Sequence, residues 1–97
     1  MINKKERIQL RSLAQVLPDL VFVGKEGVTE NVLRQIEDNL FAHELIKIKV
    51  QNTCEEDKGE VADIIAEKLI CDVVTIIGTK IVLYKRSEKK NIKHVLA

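Results

Sequence analysis

Ninety-seven residues, 45% of them hydrophobic, are enough for one ordinary core without disulfide or metal staples. One proline, four glycines and 32% charged residues exclude collagen-like and disordered compositions. The net charge of +1 names no partner, but the charge is unevenly placed: Lys4, Lys5, Arg7 and Arg11 face only Glu6, residues 55–72 are strongly acidic, and Lys80, Lys85, Arg86, Lys89, Lys90 and Lys93 face only Glu88. A dipolar chain of this kind orients on a polyanion while limiting indiscriminate binding.

Asn3 and Glu6 have capping-box spacing, which starts a helix at Lys4 that runs to about Val16 and stops before Pro18. On a helical wheel Leu10, Leu13 and Leu17 fall within about 60° of one another. Lys4, Arg7 and Arg11 form a second stripe, either a cationic face or an ordinary solvated one. Leu20-Val21-Phe22-Val23, between Pro18-Asp19 and Gly24, reads as a buried strand. After Gly24-Lys25-Glu26-Gly27, Thr29 caps a helix with Val32, Leu33, Ile36 and Leu40 on one stripe, ending near His43.

Leu45–Val50 alternates, with Ile46, Ile48 and Val50 toward a core and Lys47 and Lys49 outward. A third helix, from about Lys58 to Ile70, buries Val61, Ala62, Ile65 and Leu69. Val73–Ile77, the turn Gly78-Thr79 and Ile81–Tyr84 form a hairpin. Residues 87–97 read as a frayed, flexible basic tail.

The order α-β-α-β-α-β-β predicts a single α+β domain, α/β in its crossovers, with a four-stranded mixed sheet. The β-α-β connections make strands one to three parallel, and the fourth is antiparallel to the third. Runs of successive apolar residues imply cover on both sheet faces over part of their area. The first helix is the spare element that could supply it.

The loop Gly24-Lys25-Glu26-Gly27 joins a strand to a helix. Two glycines admit close approach of a ligand, the helix behind offers free N–H groups and a partial positive charge, and Lys25 adds a full one. Such a constellation suits a phosphodiester, and a G-x-x-G loop clamps RNA backbone in KH domains. The same spacing also occurs as plain turn chemistry.

Four separated blocks widen the pattern: Leu10-Arg11-Ser12-Leu13-Ala14, Val23-Gly24-Lys25-Glu26-Gly27-Val28-Thr29, His43-Glu44-Leu45-Ile46-Lys47-Ile48-Lys49 and Ile77-Gly78-Thr79-Lys80-Ile81-Val82-Leu83-Tyr84. Over nearly its whole length the sequence resembles the CRM family (chloroplast RNA splicing and ribosome maturation), and within it the stand-alone bacterial YhbY-type proteins. The resemblance implies a fold like the C-terminal domain of translation initiation factor three, with the fourth strand between the second and third. It also implies binding to structured RNA and, in bacteria, to large-subunit ribosomal RNA in a precursor particle, with no enzymatic activity. Gly24, Lys25 and Gly27 match the family loop, and Arg7 and Arg11, beside Lys4, match its basic first helix. Lys47 and Lys49 match as further contacts. Glu26 departs from the pattern, where a neutral or basic residue is expected.

Cys54 and Cys71, with His43 and His94, lack zinc-ligand spacing. Glu55-Glu56-Asp57 lacks the spacing of a calcium loop. A Cys nucleophile with His43 as base would need an adjacency that no motif supplies. The expectation is therefore a chain that needs no cofactor, taken here as a monomer. The charged start lacks a signal-peptide core, and no apolar run approaches the ~18 residues of a membrane span, which points to the cytoplasm with no membrane partner. Two alternatives stay open: an adaptor that binds ribosomal proteins, and a binder of other structured RNA.

Overall fold

The computed structural model describes residues 1–96. Helix α1 (Lys4–Ala14) opens with the expected capping box: the Asn3 side chain accepts the Glu6 N–H at 2.8 Å, and the Glu6 carboxylate accepts the Asn3 N–H at 3.0 Å. Strand β1 (Asp19–Val23) leads through the glycine loop into α2 (Glu30–His43), then β2 (Leu45–Val50). Helix α3 (Lys58–Leu69) is capped by Asp57, whose carboxylate accepts the Gly59 N–H at 3.1 Å. Strands β3 (Asp72–Ile77) and β4 (Lys80–Tyr84) follow, joined by a two-residue turn with Gly78 at φ +58°. No helix among the described residues is long and apolar enough to cross a membrane.

The strand order is β1-β2-β4-β3, with β1 parallel to β2 and β4 antiparallel to both of its neighbours. The short turn leaves β4 no choice but to lie beside β3. The α3 crossover then carries β3 one strand beyond β2, and β4 fills the gap. The implied placement of the fourth strand between the second and third is the one found.

The two faces of the sheet carry separate apolar clusters. Val21, Val23, Ile46, Ile48, Val50, Ile81 and Leu83 pack under Ile36 and Leu40 of α2 and Val61, Ala62, Ile65 and Leu69 of α3. On the other face Leu45, Val74, Val82 and Tyr84 pack against Leu10 and Ala14 of α1, with Ile2 and Leu96. Each buried aliphatic side chain stabilises the fold by about 1.5–3 kcal/mol relative to exposure. Helix α1 is the spare element on the second face, as its apolar stripe required.

That cover is incomplete, and this is the main departure from the sequence expectation. Strand β1 was expected to be buried, yet Leu20 and Phe22 are 37% and 50% exposed, while Val21 and Val23 are buried. The reason is topological. Strand β1 is at the sheet edge, and α1 packs on β2 and β3 and ends at Ala14, so the α1-side residues of β1 are only partly covered, Leu20 by Leu17, Pro18 and Val95. Within the α1 stripe, Leu10 is fully buried but Leu13 is 43% exposed for the same reason.

The tail is the second correction. Over residues 87–96 it is docked, not frayed. Ser87 and Leu96 are buried, and the wholly buried Glu44 holds the segment at three points. Its carboxylate accepts N–H groups from Ser87 at 2.7 Å and Val95 at 2.8 Å and lies 2.6 Å from His94 Nδ1. Ser87 Oγ also donates to the Phe41 carbonyl at 2.6 Å. A basic composition disguised a segment whose anchor is an acid from the α2–β2 junction.

Candidate nucleic-acid interface

Strands β1 and β2 end, β3 turns and β4 begins at one end of the sheet. Three loops therefore meet there: Gly24–Gly27, residues 51–57, and Gly78-Thr79. The Gln51 N–H donates to the Val23 carbonyl at 2.8 Å, and the Val50 N–H to the Thr79 carbonyl at 2.8 Å, which tie the three together. Lys58 Nζ donates to the Gly78 carbonyl at 2.5 Å.

The glycine loop is a tight turn in which the Gly27 N–H donates to the Gly24 carbonyl at 3.0 Å. Gly27 has φ +72°, and a Cβ there would collide with the Glu56 carboxylate; a Cβ on Gly24 would meet Gln51 Oε1 at 2.7 Å. Gly27 is thus favoured by its backbone conformation before any ligand is considered, whereas at Gly24 the contact is with the movable end of the Gln51 side chain. Gly27→Ala is expected to lower the unfolding free energy by about 1–2 kcal/mol, through the positive φ. Urea denaturation checks this: if a Glu56→Ala background restored full stability, the collision and not the backbone would be the cause.

Lys25 and Glu26 are exposed at the tip. The expected pool of free N–H groups behind the loop is reduced. Thr29 Oγ1 already accepts the Val32 N–H at 3.1 Å, and the Gly27 N–H is used within the turn. The two flanks of the loop differ in charge. Glu56 presses on Gly27 from the side of α3, whereas Lys49, Gln51, Asn52, Thr53 and Thr79 form a neutral-to-basic hollow on the other flank.

The second flank continues onto the α1 side of the sheet. Lys47, Lys80, Thr75 and Ile77 border a shallow groove with Arg11, Ala14 and Gln15 of α1. Lys80 reaches across β2 to pair with Asp19. Lys25, Lys47, Lys49 and Arg11 form no ion pair among the described residues. Their charge remains available to a ligand.

Two of the expected first-helix contacts are placed differently. Arg7 is half-buried, and its Nη1 donates to the Val73 and Val74 carbonyls, both at 2.6 Å. The β3–β4 register slips between Val73 and Thr75, and Arg7 binds the backbone at this irregularity. Lys4 lies in the first turn of α1, at the far end of the helix from Arg11, with neighbouring Ile2 and Glu6 beside Tyr84 and Asp72. Gly24, Lys25, Gly27 and Lys49 lie at the loop end of the sheet, and Lys47 and Arg11 share a groove farther along its α1-side face. Lys4 lies apart, and Arg7 is engaged in the fold. Lys80 and Phe22 join the group; sequence reading passed over both, because strand pairing alone puts them there.

A family model for the CRS1 / YhbY (CRM) domain matches residues 2–85, spanning every strand and helix above. The chain belongs to the CRM family. Among the relatives of this CRM domain is YqeI of Bacillus subtilis, named a probable RNA-binding protein, 44% identical over 89 residues that cover 92% of this chain and 93% of YqeI. A Haemophilus influenzae protein named RNA-binding protein is 37% identical, covering 95% of this chain and 93% of its own. The solution structure of SAV1595 from Staphylococcus aureus, proposed to bind RNA, matches with TM-score 0.80 at 36% identity, covering 94% of this chain and 95% of the other.

The thiols of this CRM domain are poorly suited to nucleophilic chemistry. Cys71 packs against the core, and burial pushes its thiol up to about 11, so almost no thiolate exists at neutral pH. Cys54 Sγ sits 3.7 Å from the Glu56 carbonyl, also against the core. Among the described residues no cluster of three His, Cys, Asp or Glu side chains is placed to hold a metal.

Proposed function

We propose that this CRM domain binds RNA through its sugar-phosphate backbone, on the flank of the Gly24–Gly27 loop that opens onto Lys49, Lys47 and Arg11. The observation that carries the reading is the convergence of cations without ion-pair partners beside a glycine turn, on the side away from the acidic start of α3. RNA binding in the names of its relatives supports the same reading. The glycines shape the turn, Lys25 and Lys49 neutralise phosphates on either side of it, and Arg11 extends the track along α1. Glu26 limits the share of the tip itself. The RNA we assign is large-subunit ribosomal RNA in a precursor particle, on the strength of the family resemblance, with no reaction catalysed.

Backbone binding predicts that log K falls with log salt at a slope of about −0.7 per phosphate contact on single strands. Lys25→Ala is expected to weaken binding to all sequences about equally and to flatten that slope by roughly one contact. Titration over a range of salt concentrations checks both; a slope near zero would sink the phosphate track. Crosslinking in cells followed by sequencing tests the ribosomal assignment, which recovery of messenger RNA alone would overturn.

A second reading, a protein-binding adaptor, has one observation of its own. Val16 is 87% exposed, and it borders an apolar groove with Leu13, Leu17, Pro18, Leu20 and Val95. A partner held there would bind with little salt dependence, opposite to the backbone reading.

A further inference from the structure

One row of side chains crosses the open part of the sheet. In strand register Phe22 of β1 lies beside Lys49 of β2, Lys49 beside Lys80 of β4, and Lys80 beside Ile77 of β3. In-register partners project to the same face, here the side on which α1 stops short. Phe22 is 50% and Ile77 56% exposed. The row lies one residue from the Val23–Val50 pair that closes the sheet beneath the glycine loop.

We propose that this row is a platform for unpaired nucleotides, with a nucleobase stacked on the Phe22 ring and the adjoining phosphates held by Lys49 and Lys25. This deepens the RNA-binding reading above and rests on it. An exposed aromatic ring on a sheet, flanked by cations, is the physical recipe for holding single strands. Every base has a π-face, and a base inside a helix cannot present it. The chain carries only two phenylalanines and one tyrosine, and Tyr84 is buried. Phe41 is also exposed, on α2 across the sheet, but its groove is walled by Glu37, Asp38 and Glu88, which repel a polyanion despite Lys85 and Arg86. Charge therefore separates the two rings: Phe22 suits a nucleotide and Phe41 does not. The ligand is an unpaired stretch beside the backbone that the loop grips, so a junction or loop is preferred over an uninterrupted duplex.

The test compares a mixed-sequence single-stranded oligoribonucleotide of about ten nucleotides with a blunt duplex of the same length. Phe22→Ala and Phe22→Leu are expected to weaken single-strand binding about tenfold and leave duplex binding unchanged. Leu keeps an apolar surface without a π-face, so its matching loss separates stacking from simple burial, and Phe22→Tyr should restore wild-type affinity. In the wild type, ring-proton resonances of Phe22 should move upfield when single strand is added, while those of Phe41 stay put. Equal losses on both RNAs, full affinity in Phe22→Leu, or movement of the Phe41 ring alone would each overturn the platform. If Phe22→Ala binds as wild type while Lys25→Ala does not, the platform falls and RNA binding stands. If the wild type binds neither RNA, both fall.

Discussion

Glu44→Ala is expected to release residues 87–96 from the body of the domain and to lower the unfolding free energy by about 2–4 kcal/mol. The wild-type carboxylate is wholly buried and gathers two backbone N–H groups and the His94 ring from a segment more than forty residues away. Hydrogen bonds to a charged group are each worth about 1.5–3 kcal/mol, and rehydration of the freed segment returns part of the loss. Glu44 also occupies φ +66° at the end of α2, where its own N–H donates to the Leu40 carbonyl at 2.8 Å. A residue with positive φ here would ordinarily be glycine, and strain of about 1–3 kcal/mol is tolerated for the sake of the side chain. Glu44→Gly should therefore be less destabilised than Glu44→Ala by about that amount, although both lose the anchor. Urea denaturation ranks the variants, and hydrogen exchange locates the change: Ser87 and Val95 amides should lose protection. Full protection of both in Glu44→Ala would show that the tail docks by apolar contact alone.

The same carboxylate gives the fold an acid limit. Burial pushes the Glu44 carboxyl up, but the hydrogen bonds from Ser87, His94 and Val95 outweigh it and hold the group below its ordinary value of 4.5. A lowered native value means that the stabilisation is complete above 4.5 and is lost as pH falls through the lower value. Exchange at Ser87 and Val95 should therefore accelerate, relative to its intrinsic acid dependence, only on the acid side of that range.

Combined replacement of Arg11 by Gln and of Lys47 and Lys49 by Thr is expected to weaken RNA binding by about two orders of magnitude at 0.1 M salt. Each phosphate contact contributes about 0.7–0.9 to the slope of log K against log salt, which at 0.1 M is about five- to eightfold in affinity per contact. Three lost contacts should flatten the slope by about 2. Threonine preserves strand propensity at the two β2 positions and glutamine preserves helix propensity in α1, so the fold is little disturbed. A matched triple replacement of Lys89, Lys90 and Lys93 removes equal charge from the tail and should cost far less. If the tail variant lost more affinity than the sheet variant, the track would have been placed on the wrong face. Arg7 is omitted on purpose. Its replacement would expose two carbonyls at the β3 irregularity and confuse stability with binding.

Much of this molecule was legible from local pattern. Asn3 and Glu6 start α1, Thr29 starts α2, and the alternation from Ile46 to Val50 puts lysines opposite the core, because caps and side-chain periodicity are written within a few residues. The family blocks carried the strand order as well. Which cations and rings share a surface was not legible in this way. Lys80 meets Lys49 only through antiparallel pairing, and Phe22 is open only because β1 is an edge strand that α1 does not reach. Arg7 and Arg11, four residues apart on one helical stripe, are alike in sequence but unlike in place: one binds two carbonyls of β3 and the other borders the open groove. Glu44, one letter within a family block, holds a tail that composition alone marked as loose.

The sequence by itself determined the elements, the glycine turn and the family, since each depends on short-range sterics, hydrogen bonding and apolar periodicity. Only the tertiary structure decided which side chains border the turn, which basic residues have no ion-pair partner among the described residues and that Phe22 lies open beside Lys49. These are properties of strand pairing and of where one helix ends, and they relate residues that no local rule connects.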